Sequence, residues 1–240
     1  MAFTPGTESR YFVGPMRFSV FGKSLSADVT VNQLDTSSVE NKAQVFINGQ
    51  RNGSASIGMM LDTTSTTTSQ FTTLNTWSGG AQNPITIALE GATIAAPTWL
   101  MLGNQSSVSY GSAVGDLVMA DVSVQPDGGV DWGQVVVAET AATADANGAA
   151  VDGAAASANG GVAHIHSTAF SGLTNNIVVI QHSVDGATLW DTLVTFATVT
   201  AVGSERVTVA AGTTVRRYLR IVDDVTGVGS HTRFVSFARR

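Results

Sequence analysis

The sequence contains no cysteine, so neither a disulfide framework nor a thiolate metal site can hold the chain together. Assembly in a reducing cytoplasm fits that absence. Charge is scarce too: Asp, Glu, Lys and Arg make up 12% of the 240 residues, against roughly 25% in ordinary soluble domains. A surface that poor in charge is either inert or largely covered. Lysine is confined to Lys23 and Lys42, and there are five prolines. These are residues with which antiparallel sheets commonly blunt their edges. Bare edges imply that other copies, or a partner, cover them. Long apolar runs are missing as well. The most apolar segment, Ile85–Leu102, is interrupted by Glu90, Gly91 and Pro97, so no membrane span is expected. Met1–Gly14 carries Glu8 and Arg10 and lacks the apolar stretch of a secretory leader, so export by that route is not expected either.

The net charge of −6 is unevenly placed. Residues 1–137 hold 5 basic against 10 acidic side chains, and residues 138–240 hold 7 against 8. An acidic surface repels phosphate, which argues against a sequestering nucleic-acid binder. It suits a surface past which a polyanion slides.

What is abundant is Val, Ile, Thr, Leu and Phe in short blocks bounded by turn residues. Ile177–His182, Leu189–Phe196, Glu205–Ala210, Val215–Val222 and Thr232–Ala238 read as strands, with Ser183–Gly186 as a turn. That spacing predicts an antiparallel sandwich or barrel. Upstream, Arg17–Phe21, Ala27–Leu34, Ala43–Ile47, Ser54–Leu61, Pro84–Leu89 and Thr98–Leu102 also read as strands, with Asn48-Gly49 as a hairpin dipeptide. Val114–Val124 and Val130–Val137 read as a hairpin with Pro126–Gly129 at its tip. Ser69 is placed to cap one helix, Gln70–Trp77, whose Phe71, Leu74 and Trp77 share a face that would plug a sheet.

The expected fold is therefore all-β with one short helix: a β-sandwich or barrel over 1–138, then a second β-sandwich module over 162–240. Between them, residues 139–161 turn to Ala, Gly, Thr and Asp and read as a linker or a weak first strand. Met1–Pro15 reads as an extended arm. Its Tyr11, Phe12 and Val13 would lie either on the subunit's own core or on a neighbouring copy.

Chemistry-bearing patterns are weak. His164 and His166 would share a strand face, but a metal site needs a third ligand from His182, His231 or a carboxylate. Asp223-Asp224 and Asp127-Gly128-Gly129 read as turn residues rather than calcium loops. There is no Gly-x-Ser-x-Gly elbow, and Gly22-Lys23-Ser24 has Arg17 where a phosphate loop needs glycine. No enzyme, cofactor or metal is expected. A carbohydrate-binding or adhesive β-sandwich is the rival reading and would use Trp99, Trp132 or Trp190 as a stacking platform.

The run Val45-Phe46-Ile47-Asn48-Gly49, the Gly58–Asp62 strand, the Ser/Thr-rich segment after it and the helix around Phe71-Thr72-Thr73-Leu74 resemble the major tail proteins of long-tailed bacteriophages (siphophages). Ile180–Gly186, Trp190-Asp191-Thr192-Leu193, Phe196 and Arg217-Tyr218-Leu219-Arg220 are similar to the carboxy-terminal half of such proteins. The resemblance implies a tail-tube-like first module and a tail tube subunit, located in the virion tail and assembled in the bacterial host cytoplasm. Such subunits form stacked rings, commonly hexameric, around a tape measure protein, and DNA later passes through without specific binding. Candidate lumen-facing carboxylates are Asp28, Asp35, Glu40, Asp62 and Asp121, and Tyr11, Phe12 and Val13 are the candidate inter-subunit arm. Asp62–Thr68 and Gly103–Gly115 both compete for the family's long inter-subunit hairpin loop. A capsid decoration or connector protein shares the virion setting.

Overall fold

Residues 8–38, 43–61 and 70–240 are described by the structure, a computed structural model, and strands dominate them. In chain order these are β1 (Arg10–Val13), β2 (Met16–Arg17), β3 (Gly22–Asp35) and β4 (Phe46–Met60). The helix α1 (Gln70–Trp77) follows, then β5 (Asn83–Ala88), β6 (Pro97–Gly111), β7 (Met119–Ala142), β8 (Ala146–Asn147) and β9 (Val151–Asp152). The chain closes with β10 (Gly161–Ser183), β11 (Asp191–Thr195), β12 (Gly203–Val209) and β13 (Tyr218–Arg239). The registered pairings among the described residues are antiparallel. The all-β class with a single short helix is what the structure shows. No helix among the described residues is long and apolar enough to cross a membrane.

Two compact units divide the chain. One takes Met1–Val20, Asn83–Met101 and Asp131–Arg240, and the other takes Phe21–Gln82 and Leu102–Val130. The split expected at 139–161 follows chain order, whereas the units interleave, because β6 and β7 each contribute residues to both.

The first unit is organised by β10 and β13, which pair from Gly161 opposite Arg239 to Ser183 opposite Tyr218. The ladder is not straight. Asp223 and Arg233 lie ten residues apart on β13, a distance of about 33 Å in an extended strand, yet they form a bidentate ion pair at 2.9 and 2.5 Å. The strand must fold back between them. Three register shifts mark the corner, between Ser167 and Ala169, Ser171 and Leu173, and Leu173 and Asn175. Bulges of this kind bend a strand. Gly229 permits the close approach there, since a Cβ on it would sit 2.0 Å from the Ser171 carbonyl oxygen.

Folding the ladder back makes a sandwich from one strand pair. On one side of the corner β10 carries β12, and β13 carries β7; on the other side β10 carries β11, and β13 carries β8 and β9. Ala163, Ile165, Val235 and Phe237 from the first side share a core with Val178, Ile180, Leu219 and Ile221 from the second. The shifts leave β10 one residue longer than its partner across the corner. Its core positions accordingly move from odd to even numbers, while those of β13 stay odd. Residues 139–161, expected as a linker or a weak first strand, contribute short pairings and buried side chains. Ala142 and Val151 are buried, β8 and β9 pair with β13, and Ser157 bridges Val215.

In the second unit, β3, β4 and β7 form three adjacent strands. Gly22, Met59 and Ala120 share a row, as do Leu25, Ile57 and Val122, and Ala27, Ala55 and Val124. The β4 and β7 members of these rows are buried. Helix α1 spans the expected residues and buries Leu74 and Trp77. Phe71 is exposed and lies against the Tyr110 ring instead. Its expected cap, Ser69, lies outside the described residues.

Two expected turns are strand instead. Asn48-Gly49 continues β4, because neither residue takes the positive φ that a type I′ turn needs, and Gln33 pairs with Asn48. Pro126–Gly129 runs through β7, with Gly128 and Gly129 at φ 78° and 85°. Before and after this stretch, β7 pairs with β4 and β13 respectively. Most of Gly103–Gly115 likewise belongs to β6.

The corner depends on a buried ion pair, and breaking one by removing a single partner costs about 3–5 kcal/mol. Asp223→Ala is expected to lower stability by that order, read from urea unfolding midpoints. The double variant Asp223→Leu/Arg233→Met should recover most of the loss.

Candidate functional site

The β3–β4 hairpin is much longer than the sheet it leaves. Only Ala55–Met60 of β4 pair with β7; the distal part, Val29–Asp35 against Phe46–Gly53, is a two-stranded ribbon among the described residues. Its end is apolar and open to solvent, with Leu34 54%, Val45 46%, Phe46 48% and Ile47 52% exposed. The turn is tied by Thr36 N–H to the Val45 carbonyl (2.8 Å), and by Val45 N–H to Ser37 Oγ (2.8 Å). Asp35 accepts the Ser37 N–H at 2.8 Å, and its hydrogen bonds with Ser37 lower its pKa. An isolated two-stranded ribbon is marginal in water, and its unpaired edges offer main-chain groups to another strand.

The proximal part of the same hairpin has two unlike faces. Opposite the dry rows lie Ser24, Ser26 and Asp28 of β3, Ser54, Ser56 and Gly58 of β4, and Asp121 and Ser123 of β7. Gly58 makes this face possible: a Cβ there would come within 2.4 Å of Ser24 Oγ and 3.0 Å of Asp121 Oδ1. The eight positions hold short hydroxyls and two carboxylates, and no cation.

The structure thus brings Asp28 and Asp121 onto one exposed face, while Asp35 lies at the far end of the ribbon. Glu40 and Asp62 lie outside the described residues, as does Asp62–Thr68. Tyr11, Phe12 and Val13 are in β1, buried and paired with β5; Phe12 stacks on Phe234 at 4.3 Å. Of the two expectations for that arm, cover for the subunit's own core is the one observed. Sequence reading missed the ribbon because Asn48-Gly49 imitates a turn. The signal that could have found it is the alternation of Leu25, Ala27, Val29 and Val31 with polar residues, continued by Leu34.

The histidines are structural. His166 Nδ1–H donates to the Gly14 carbonyl (2.7 Å), so its Nε2 accepts from Thr86 Oγ1–H (2.8 Å). Thr86 Oγ1 in turn accepts from His164 Nδ1–H (3.1 Å), and His164 Nε2 accepts from Arg206, which pairs with Asp131 at 2.9 Å. Both rings are neutral in this chain of donors. Burial lowers both pKa values, that of His166 to about 4.

At the corner, Ser167, His231, Asn176 and Asp223 are spaced like a nucleophile dyad with supports, but wired the other way. Asp223, paired with Arg233, can only accept, so Asn176 Nδ2 faces it at 2.9 Å and also donates to His231 Nδ1 at 2.9 Å. The His231 proton therefore sits on Nε2 and is donated to Ser167 Oγ (2.9 Å). A general base would need that nitrogen free. Burial, with nearby Arg233, lowers the His231 pKa to about 4.

Trp190 is half-buried beneath the Arg220 guanidinium at 4.3 Å. Trp132 is 56% exposed and meets Trp99 edge-on at 4.8 Å.

No protein-family model and no curated protein matches the sequence. Several solved structures resemble the fold. A chain from the virion of a native gene transfer agent particle aligns with TM-score 0.46 and 10% identity, over 54% of this chain and 98% of that one. The SPP1 tail tube aligns at 0.42 and 10%, over 52% and 77%. SPP1 Dit, a hub adsorption apparatus protein, aligns at 0.37 and 10%, over 96% and 98%. At this level they are likenesses, and function has to come from this chain's own residues.

Histidines held neutral in the fold but free to ionise when unfolded stabilise it fully above their unfolded pKa of 6.5, and progressively less as pH falls towards about 4. For His166 the loss approaches ~3 kcal/mol. The urea midpoint is expected to fall between pH 7 and pH 4.5, and His166→Gln should flatten that fall.

Proposed function

We propose that the chain is a structural subunit of a phage-type tail tube, self-assembling into stacked rings in the virion tail. The observation that carries this is the β3–β4 ribbon. It is anchored in a sheet at one end, carries an apolar tip at the other, and has open edges along its length. A second copy supplies what such a ribbon lacks: strand pairing for its main chain and cover for Phe46 and Ile47. The ribbon takes the part of the inter-subunit hairpin of the family that the sequence resembles. Rings of that family are commonly hexameric, and the same number is proposed here.

The hydroxyl-and-carboxylate face of the same three strands suits a lumen. Asp28 and Asp121 repel phosphate, and the serines make no counterion-releasing contact, so DNA passes without being held. A tape measure protein would occupy that lumen before DNA does. Assembly in a bacterial host cytoplasm accords with a chain that has no cysteine.

Purified protein is expected to form rings or tubes in negative-stain micrographs. Phe46→Asp/Ile47→Glu should give monomers that unfold at the wild-type temperature, because both side chains are already exposed. Wild-type protein that stays monomeric at all concentrations would defeat the proposal. Asp28→Lys/Asp121→Lys should still assemble yet retain duplex DNA on filters at low salt, with retention falling steeply as salt rises.

A further inference from the structure

The segment joining β11 to β12 leaves a bowl of about 480 Å³ against the first part of β10, lined by Ile165, Ser167, Thr198, Thr200, Ser204 and Glu205 among others. That volume lies within the roughly 300–1,000 Å³ of small-molecule sites. Its polar groups are organised from behind. Ser167 is 2% exposed and accepts the His231 Nε2–H, an arrangement fixed by Asn176 and Asp223, so its own O–H remains to be donated. Glu205 accepts the Ala197 N–H at 2.8 Å through Oε2, and no described residue hydrogen-bonds to its other oxygen. The bowl therefore offers a donor on a buried hydroxyl and an acceptor on a carboxylate, with Ile165 and Val199 as apolar lining.

We propose that this bowl binds a neutral polyol, a single sugar ring. Adjacent hydroxyls of such a ring can accept from Ser167 and donate to Glu205, while the ring's C–H face lies on Val199 and the exposed Val202. An anion is disfavoured by the Glu205 carboxylate, since the neighbouring Arg206 is engaged by Asp131 and His164. A calcium ion needs about six to eight oxygens, more than one carboxylate and a few hydroxyls supply well. The site goes beyond the tube role and does not depend on it.

The experiment is saturation-transfer NMR on the full chain, which tolerates assembled particles. The probes are methyl α-D-glucopyranoside, methyl β-D-galactopyranoside and N-acetyl-D-glucosamine, with calcium chloride and inorganic phosphate tested by calorimetry. Two variants spare the buried network. Gly203→Phe fills the bowl, where a Cβ on Gly203 meets no atom within 4 Å, and Glu205→Gln weakens the acceptor. At least one glycoside is expected to receive saturation. Its affinity should fall about tenfold in Glu205→Gln and be lost in Gly203→Phe, with unfolding midpoints unchanged. The proposal is overturned if no glycoside responds at about 20 mM, a range that reaches very weak sites. It is overturned equally if the signal survives Gly203→Phe, or if only calcium or phosphate binds. Ring formation is read separately by microscopy, so the two readings fail independently.

Discussion

One strand pair, β10 with β13, carries the larger unit, and its constraint is that a ladder of more than twenty residues must turn back on itself and resume pairing beyond the shifts at its corner. Bending forces bulges, and bulges leave polar groups in the interior. A row of hydrogen bonds from Thr140 through Arg233, Asp223, Asn176 and His231 to Ser167 pairs most of the polar atoms gathered there, leaving Asn176 Oδ1 without a partner among the described residues. A buried ion pair is weak evidence for net stability, but it is demanding about geometry. Here it ties together two points of one strand that only the folded-back form brings within reach. The corner and the network require each other.

The smaller unit solves a different problem with the same element type. Alternation along β3, β4 and β7 gives one face of Leu25, Ile57 and Val122, and another of serines with Asp28 and Asp121. A dry face suits the subunit's own core, and a hydroxylated one suits an aqueous boundary. The ribbon then extends past its own sheet, leaving a surface low in charge but not low in apolar side chains.

Much of this was legible in the sequence. Alternating Val118, Ala120, Val122 and Val124 reported strand β7, and the spacing of Leu74 and Trp77 reported α1, because both signals are local. The corner was invisible, since Ala169–Gly172 reads as a connection when judged alone. Only pairing with Ser230 and Thr232 makes it strand. Leu189, where the sequence suggests a strand begins, lies in the turn before β11 at φ 53° and is 76% exposed. Turn dipeptides misled: Asn48-Gly49 permits a turn, but the pairing of β3 with β4 overrules it, while Pro126–Gly129 lies within β7 with two glycines at positive φ. The shared face of Asp28 and Asp121 could not be foreseen, because it depends on registers across three strands.

Gly58 shows how narrow the tolerance of that face is. At the middle of the three strands, the Ser24 and Asp121 side chains occupy the space that a side chain on the buried Gly58 would need. Any larger residue would push the Ser24 and Asp121 side chains outward. In the proposed tube, a smooth wall would matter in a way that charge does not capture: friction on a long polymer accumulates with every obstacle, and one protruding methyl group repeated around a ring becomes a corrugation.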